Sequence, residues 1–571
     1  MASIPVRPKA HKLIIAVDFG TTFSSIAYVY TSDPNEQKVV KSWPDSSQST
    51  EFVPSTIRYN EYDPETTPPK WGYQLEDDEL KHEWFKLGLY PALAKTALAE
   101  NYPSHTAFPP VYGKECEKMV TDYLRSLKKH AEKYIAEKLD EVFLKGKKPE
   151  YIVTVPAVWS DQAQATTRRC AENAGMGSRN DMQIITEPEA AGIYALKNMK
   201  LGLNVHDTFV LCDAGGGTVD LISYTVAEVG ERPLIYESAP GSGSLCGSTF
   251  LNRIFDHFLR RKFANYPKWD EDYHKEAMHR FEIKIKREFN GDLNKSFFIP
   301  ARGLSNNLLL GIQSGKVEFT GRDLAEVFEP VMKEIVALVA AQIHATDKPV
   351  KAILLAGGFG SSNYLKKRIE KRVGGIKVVQ IEDGDTAIVR GALIRGLVEK
   401  SPGLASVRID GRVARRYYGA LAGVPFDPKR HDSWRKERDG LFGGDRVQEM
   451  NWFVKKGALI RGNDRPSFGF YWSEEVFPGY PPTIELTLYK CDDSKNEGAP
   501  LYADGKEVQR FVKLKADVRS MMKEFKQELG DNGKMYYKLD FDLEIEYQSG
   551  SLKFSILYNG KRYDTATAEF E

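Results

Sequence analysis

One pattern occurs twice in this chain. It reads Ala16-Val17-Asp18-Phe19-Gly20-Thr21-Thr22 near the N-terminus and Leu211-Cys212-Asp213-Ala214-Gly215-Gly216-Gly217-Thr218-Val219-Asp220 further on. In each, an apolar run ends in an aspartate and passes through glycine and threonine. It then resumes, as Ser25-Ile26-Ala27-Tyr28-Val29 in the first and Leu221-Ile222-Ser223-Tyr224 in the second. The pattern predicts a strand, a tight turn and a second strand. Glycines let the backbone approach an anion and present its N–H groups, threonine adds a hydroxyl donor, and an aspartate at a strand end can hold a metal through water. Two such hairpins predict a nucleotide clamped between two related halves.

The rest of the chain supplies an α/β frame for these hairpins. Met119, Tyr123, Leu127, Ala131, Ile135, Leu139 and Phe143 recur at helical spacing, so a long amphipathic helix is expected over residues 115–143. The strand Tyr151-Ile152-Val153-Thr154-Val155 ends at Pro156, a helix follows over residues 161–174, and Ile184-Ile185 is a strand leading into Thr186-Glu187-Pro188-Glu189-Ala190-Ala191. Residues 250–290 are expected to be mostly helical, and 324–344 and 385–397 are further helices. Between those last two, the strand Lys351-Ala352-Ile353-Leu354-Leu355-Ala356 opens into Gly357-Gly358-Phe359-Gly360-Ser361-Ser362 before a helix, a third nucleotide-contact candidate. Strand alternating with helix marks an α/β fold with mixed sheets. That regularity stops near residue 400. Beyond it Ile484, Leu486 and Leu488 alternate with polar residues, as do Tyr537, Leu539, Phe541, Leu543, Ile545 and Tyr547, and a second run reaches an Asn559-Gly560 turn. A mainly β domain is expected there, with one helix over residues 510–529.

With 571 residues the chain has room for two to four domains. Lys plus Arg number 80 against 79 Asp plus Glu, a formal net charge of +1, so nothing global favours nucleic acid or an anionic membrane. Basic clusters at Lys145-Gly146-Lys147-Lys148 and Arg260-Arg261-Lys262 read as solvated faces. The five cysteines, Cys116, Cys170, Cys212, Cys246 and Cys491, show no CxxC pair and no metal-ligand spacing, which suggests a reducing compartment. Residues 1–11 lack an apolar leader core, and no run approaches the about 18 apolar residues of a membrane span. A soluble, cytoplasmic protein is expected.

With three glycine motifs in order, residues 12–400 resemble the heat shock protein 70 family within the actin and sugar-kinase ATPase superfamily. The match runs through Asp18 to Ser24, Thr154-Val155-Pro156-Ala157, Thr186 to Ala191, Asp213 to Asp220, Leu355 to Ser362 and Asp385-Thr386-Ala387-Ile388-Val389-Arg390-Gly391-Ala392. The resemblance implies a bilobed actin-like ATPase domain over residues 1–400, a linker over 401–416, and a β-sandwich-like substrate-binding domain over 417–571. It implies ATP or ADP with Mg2+ as ligands. Asp18 and Asp213 would hold the metal through waters. The loops Gly20, Thr21, Thr22 and Phe23, and Gly215, Gly216, Gly217 and Thr218, would hold the phosphates. Glu187 and Asp220 would orient or polarise the attacking water, with Asp213 and Thr218 in the same catalytic set. A lysine completing it should lie before the long helix, and Lys86 in Trp84-Phe85-Lys86-Leu87 is the choice. Gly357, Gly358, Ser361 and Asp385 would face the adenosine. So would Glu282, Lys286 and Arg287, in a helix whose register is open by one residue.

Departures from the family pattern are equally specific. An ungapped alignment puts Gln164 where members carry a relay arginine, and glutamine cannot make arginine's bidentate carboxylate pair. Residues 404–417 carry Arg408, Arg412, Arg415 and Arg416 in place of an acidic, leucine-rich linker. The chain as given ends in strand pattern at Phe570-Glu571, without a helical lid, and Cys246 and Gly247 replace a glycine pair. These changes put the interdomain relay and partnership with J-domain co-chaperones in question, and they resemble a divergent, lidless branch. Trp452, Phe470, Tyr471 and Trp472 either pack in the β core or line a peptide groove. Three readings follow. One is an ATP-driven chaperone for unfolded or extended polypeptide. Another is a nucleotide-gated scaffold with little or no hydrolysis. A metabolite kinase is the third, and the β-rich C-terminal part does not suit it.

Overall fold

A computed structural model describes residues 12–63, 66–76, 79–138, 148–178, 182–199, 201–230, 232–400, 407–461, 466–477, 483–492, 497–517, 525–548, 551–563 and 567–570. The expectations on residues 1–11, 139–147 and 401–406 lie outside them. The chain divides into two compact units, Met1–Arg408 and Ile409–Glu571.

The first unit holds the same arrangement twice. Strands β1 (Leu13–Asp18) and β2 (Phe23–Tyr30) form the first hairpin, and β3 (Asp33–Val39), β4 (Glu150–Val155) and β5 (Met182–Thr186) join them in the order β3-β2-β1-β4-β5. Strands β6 (Thr208–Ala214) and β7 (Val219–Glu228) form the second hairpin, in a sheet ordered β10-β9-β6-β7-β8 with β8 (Leu234–Ser244), β9 (Val350–Ala356) and β10 (Lys377–Gln380). In both, the first hairpin strand pairs antiparallel with its mate and parallel with the strand on its other side. The registers place Asp18 opposite Ser25 and Asp213 opposite Asp220. Both aspartates therefore stand at the C-terminal ends of central strands, where open α/β sheets present ligands.

Helices cover these sheets, so every residue of β1 and β6 is buried. Helix α1 (Gly113–Lys138) buries Met119, Tyr123, Leu127, Ala131 and Ile135 as one stripe, which accounts for its sequence periodicity. Helix α2 (Asp161–Asn173) begins where the Ser160 hydroxyl accepts from the Ala163 amide at 3.2 Å. Helix α3 (Glu187–Asn198) starts at the end of β5, and α4 (Thr249–Phe263), α5 (Gly321–His344) and α6 (Asn363–Val373) build the second lobe. Helix α7 (Ala387–Lys400) returns to pack on α3 and on β1. The approach of α7 to α3 is so close that a Cβ on Gly391 would lie 1.8 Å from the Ala190 carbonyl oxygen.

The second unit is built from strands. One sheet contains Asp445–Val454, Tyr417–Pro425, Thr483–Cys491 and Val508–Asp517 as neighbours, and another contains Ser467–Glu475, Met535–Gln548 and Ser551–Tyr558. Tyr418, Leu488, Phe511 and Leu514 of the first share one buried cluster with Leu543, Ile545 and Phe554 of the second. The helix expected over 510–529 is corrected where the structure describes it, residues 518–524 of that span lying outside the described residues. Residues 508–517 and 526–529 are strands, because their backbones complete ladders with Thr483–Cys491 and Met535–Gln548. Arg408–Val413, inside the expected linker, is also a strand, paired through Gly411, Arg412 and Val413 with Leu459–Arg461. Of the four aromatics weighed for a groove, Trp452 donates its indole N–H to the Pro500 carbonyl at 2.7 Å, and Phe470 and Trp472 pack at the core edge. Tyr471 is exposed.

Gly391→Ala should destabilise the first unit by about 1–3 kcal/mol, because the obstacle is backbone and α3 must move. Gly358→Ala, whose Cβ would meet nothing within 4 Å, should stay within about 0.5 kcal/mol of the parent. Urea midpoints of the two variants measure the contrast.

Candidate functional site

The two hairpin tips touch. A Cβ on Gly216 would lie 1.9 Å from the Thr22 hydroxyl oxygen, and one on Gly217 would lie 2.6 Å from the Thr21 Cβ. Only glycine allows the second loop to sit this near the threonines of the first. The second turn is closed by the Gly215 amide donating to the Thr218 carbonyl at 3.0 Å. It is backed by Gly247, Ser248 and Thr249, whose amides donate to the carbonyls of Gly217, Gly215 and Gly216 at 3.0, 3.1 and 2.9 Å. The Cys246-Gly247 pair thus begins a brace under the loop.

Beneath the tips lies a buried ionic cluster. Asp18, Glu187, Asp213 and Asp220 are all buried, and so is Lys86, at 1% exposure. The Lys86 ammonium donates to Glu187 Oε1 at 2.7 Å and lies 5.3 Å from the ring centres of both Phe19 and Trp159. Thr154 donates its hydroxyl to Asp18 Oδ1 at 2.7 Å, and the Val158 amide donates to Asp220 Oδ1 at 3.3 Å. Burial, reinforced by the neighbouring Glu187 carboxylate, raises Asp18 and Asp220 to about 7. Asp213 is driven well above the ordinary carboxylate range by burial and then by Glu187, Asp220 and Asp18, with Lys86 opposing.

The third glycine motif closes on the same aspartate. Gly357 has φ +78°, and a Cβ there would lie 2.4 Å from the Ala214 carbonyl oxygen and 2.6 Å from Asp213 Oδ1. The Phe359 and Gly360 amides donate to that carbonyl at 2.9 and 3.1 Å. Gly358 and Ser361 are exposed beyond it, and the Ser361 hydroxyl donates to the Gly358 carbonyl at 2.7 Å. Asp385 is exposed and accepts from the Thr386 amide at 3.0 Å. The helix of open register resolves into a pair: Lys286 is bonded to Glu282, and Asn252 of α4 bridges them, donating to Glu282 at 2.6 Å and accepting from Lys286 at 3.1 Å. Arg287 is exposed, outside that pair. Of the sequence-selected residues, Asp18, Lys86, Glu187, Asp213, Thr218 and Asp220 gather in one buried group. Phe23 has an exposed ring, and Ser361, Asp385 and Arg287 stand at the surface.

Thr154, Phe19 and Trp159 belong to the site although the residue-by-residue sequence reading left them out. The motif Thr154-Val155-Pro156-Ala157 carries the signal for Thr154, and Phe19 stands inside the first hairpin motif; its pairing with Trp159 around Lys86 has no signal, since it forms only on folding. Among the described residues no group of three or more carboxylate, histidine or cysteine side chains is arranged to ligate a metal directly. Asp213 Oδ1 and Asp220 Oδ2 are nevertheless buried without a hydrogen-bond partner. Such atoms, in a set of four carboxylates and one ammonium, fit a hydrated divalent cation held through water.

Comparison with known proteins agrees with the motif order. A family model described as Hsp70 protein matches residues 112–407. The chain is 24% identical over 496 residues to heat shock 70 kDa protein 12B of Homo sapiens, covering 69% of this chain and 70% of that one. It is 23% identical over 589 residues to the chaperone protein DnaK of Thermoplasma volcanium, covering 97% and 88%. Against the chaperone protein DnaK of Burkholderia cepacia the identity is 25% over 418 residues, covering 67% and 58%.

Lys86→Met removes the ammonium that offsets these carboxylates and should cost about 3–5 kcal/mol, as expected for a broken buried ion pair. Glu187→Gln should cost less, because three carboxylates still face Lys86. Equilibrium denaturation of the nucleotide-free protein checks that order, and equal losses would contradict it.

Proposed function

Because the chain belongs to the Hsp70 protein family, we propose that residues 1–400 are a Mg-dependent ATPase whose nucleotide state sets the binding of unfolded or extended polypeptide by residues 417–571, with 401–416 connecting them. Family membership supports a nucleotide-binding, chaperone-like function. The observation that carries the ATPase part is the contact of the Gly216 and Gly217 loop with Thr21 and Thr22 over the buried carboxylates and Lys86. Amides on both loops would bind the β- and γ-phosphates of ATP, and the Thr218 hydroxyl would contact the γ-phosphate. The Lys86 ammonium would stabilise charge developing on the transferred group, while Glu187 and Asp220 orient the attacking water. Asp18 and Asp213 would hold Mg2+ through water; bound there, the ion offsets phosphate charge. The Gly357-Gly358 turn and the Glu282–Lys286 pair would hold adenosine. We place the protein in the cytoplasm, on the reducing compartment that its five cysteines, without a CxxC pair, suggest. Separately, no helix among the described residues is long and apolar enough to cross a membrane.

One observation favours a second reading, a nucleotide-gated module with little turnover. Gln164 is buried and donates to the Trp159 carbonyl at 3.2 Å, while its Oε1 has no partner. A neutral amide therefore occupies the position where the family resemblance expects an arginine.

Turnover of purified protein, with and without an unfolded polypeptide, separates the readings. Hydrolysis stimulated by the polypeptide, and reduced about 10²–10³-fold by Asp18→Asn or Thr218→Ala, is the outcome expected of the chaperone reading. Tight ATP binding without turnover decides for the gated module, and absence of ATP binding overturns both.

A further inference from the structure

The turn that carries Lys86 is stitched across the two lobes residue by residue. Phe85 enters the buried cluster of the first lobe, with Phe19, Tyr123 and the β1 residues. Leu87 enters the cluster of the second lobe, with Phe250 and Ile254 of α4, and Trp84 packs against that same cluster. Lys86 lies between them and reaches Glu187. This alternation is set by a short 3-10 turn, Phe85–Leu89, in which the Leu87 amide donates to the Trp84 carbonyl at 2.9 Å and the Tyr90 amide to the Leu87 carbonyl at 2.9 Å.

The residue that starts the turn is held in an unfavourable conformation. Trp84 has φ 62° and ψ 12°, the left-handed region that a bulky side chain rarely adopts. Such a conformation persists only where its surroundings over-determine it. Here the determinants come from α4. The Arg253 guanidinium lies 3.4 Å from the centre of the Trp84 ring, the Phe250 ring meets that indole edge-on at 5.1 Å, and Arg253 donates to the Tyr102 carbonyl at 3.3 Å while facing Glu83 at 3.7 Å. Planar stacking of this kind is available to arginine and not to lysine. Helix α4 is in turn tied at its start to the carbonyls of Gly215, Gly216 and Gly217.

We propose that Trp84 and Arg253 are positioning residues for Lys86. The stack of guanidinium on indole holds the Trp84 backbone left-handed and keeps the Lys86 ammonium beside Glu187 while the lobes are together. When the lobes part, the stack is lost, Trp84 relaxes to an ordinary conformation, and the turn carries Lys86 out of the carboxylate cluster. Lobe closure thereby assembles the site through this clasp, in addition to bringing the two phosphate loops together. The part played by Lys86 in turnover rests on the ATPase reading above; the mechanical link from Arg253 to the turn does not.

The test compares the full-length parent chain with Arg253→Lys, which keeps the charge and loses the planar stack, and Arg253→Ala. Hydrogen exchange of the segment containing the Leu87 and Tyr90 amides should speed up about tenfold or more in both variants, while exchange in Thr208–Ala214 stays at the parent rate. With ATP, kcat should fall about tenfold or more while KM stays within about threefold, the signature of a group lost from the transition state and not from binding. Unchanged exchange around Lys86 in both variants overturns the clasp. Faster exchange with kcat unchanged overturns the positioning role. Should Arg253→Ala fail to fold, the lysine variant carries both readouts. If the parent shows no turnover, the ATPase reading fails on its own, and the exchange measurement still decides whether Arg253 holds the turn.

Discussion

One ammonium set among four buried carboxylates governs the architecture of the first unit. Burying carboxylates is costly unless they are paired, hydrogen-bonded or protonated, and Lys86 can directly offset only part of the charge of Asp18, Glu187, Asp213 and Asp220. The remaining imbalance appears as carboxyl groups pushed up toward neutrality and as oxygens left without donors at Asp213 and Asp220. Such an arrangement persists only if the groups cannot move apart. Accordingly Asp18 and Asp213 stand at the ends of fully buried central strands, and Glu187 begins a helix pinned by α7. The glycines of the second loop, pressed on Thr21 and Thr22, fix how close the two halves come. The fold and the electrostatic imbalance thus have one origin: rigid scaffolding that keeps like charges together at the tips of the two hairpins.

How much of this was legible in the sequence depends on the range over which each constraint acts. The hairpins were readable because strand alternation, turn glycines and a terminal aspartate are local requirements, and the registers of Asp18 and Asp213 follow from them. Helix α1 was readable for the same reason, its stripe of Met119, Tyr123, Leu127, Ala131 and Ile135 being a one-dimensional record of one buried face. Lys86 was reachable only through motif order. Its contacts with Phe19 and Trp159 were not, because they join segments far apart in the chain. The left-handed backbone of Trp84 lay still further out of reach, since no local preference of tryptophan suggests it and α4 imposes it. The error at 510–517 and 526–529 has the opposite cause. Its apolar residues also suit a helix, and the ladders with Thr483–Cys491 and Met535–Gln548 override that preference.

Gln164 puts a neutral amide beside the cluster, at the position where the resemblance expects an arginine. The Lys86 ammonium faces the Trp159 ring, and the Trp159 carbonyl accepts from Gln164 within the first turn of α2. An arginine at 164 would put a second cation at this point, so that any change of charge in the cluster would act on α2 directly and over several ångströms. A neutral amide responds weakly to charge. What reaches α2 is then the position of the Trp159 backbone, held on one side by the aromatic face toward Lys86 and on the other by the Ser160 cap of the helix. The contact between the cluster and α2 in this chain is therefore a packed aromatic residue, Trp159, whose ring faces Lys86 and whose carbonyl accepts from Gln164. That places the Lys86 turn, with Trp84 before it and Leu87 after it, against both neighbouring helices at once: Lys86 faces Trp159, just before α2, and Trp84 stacks on Arg253 of α4.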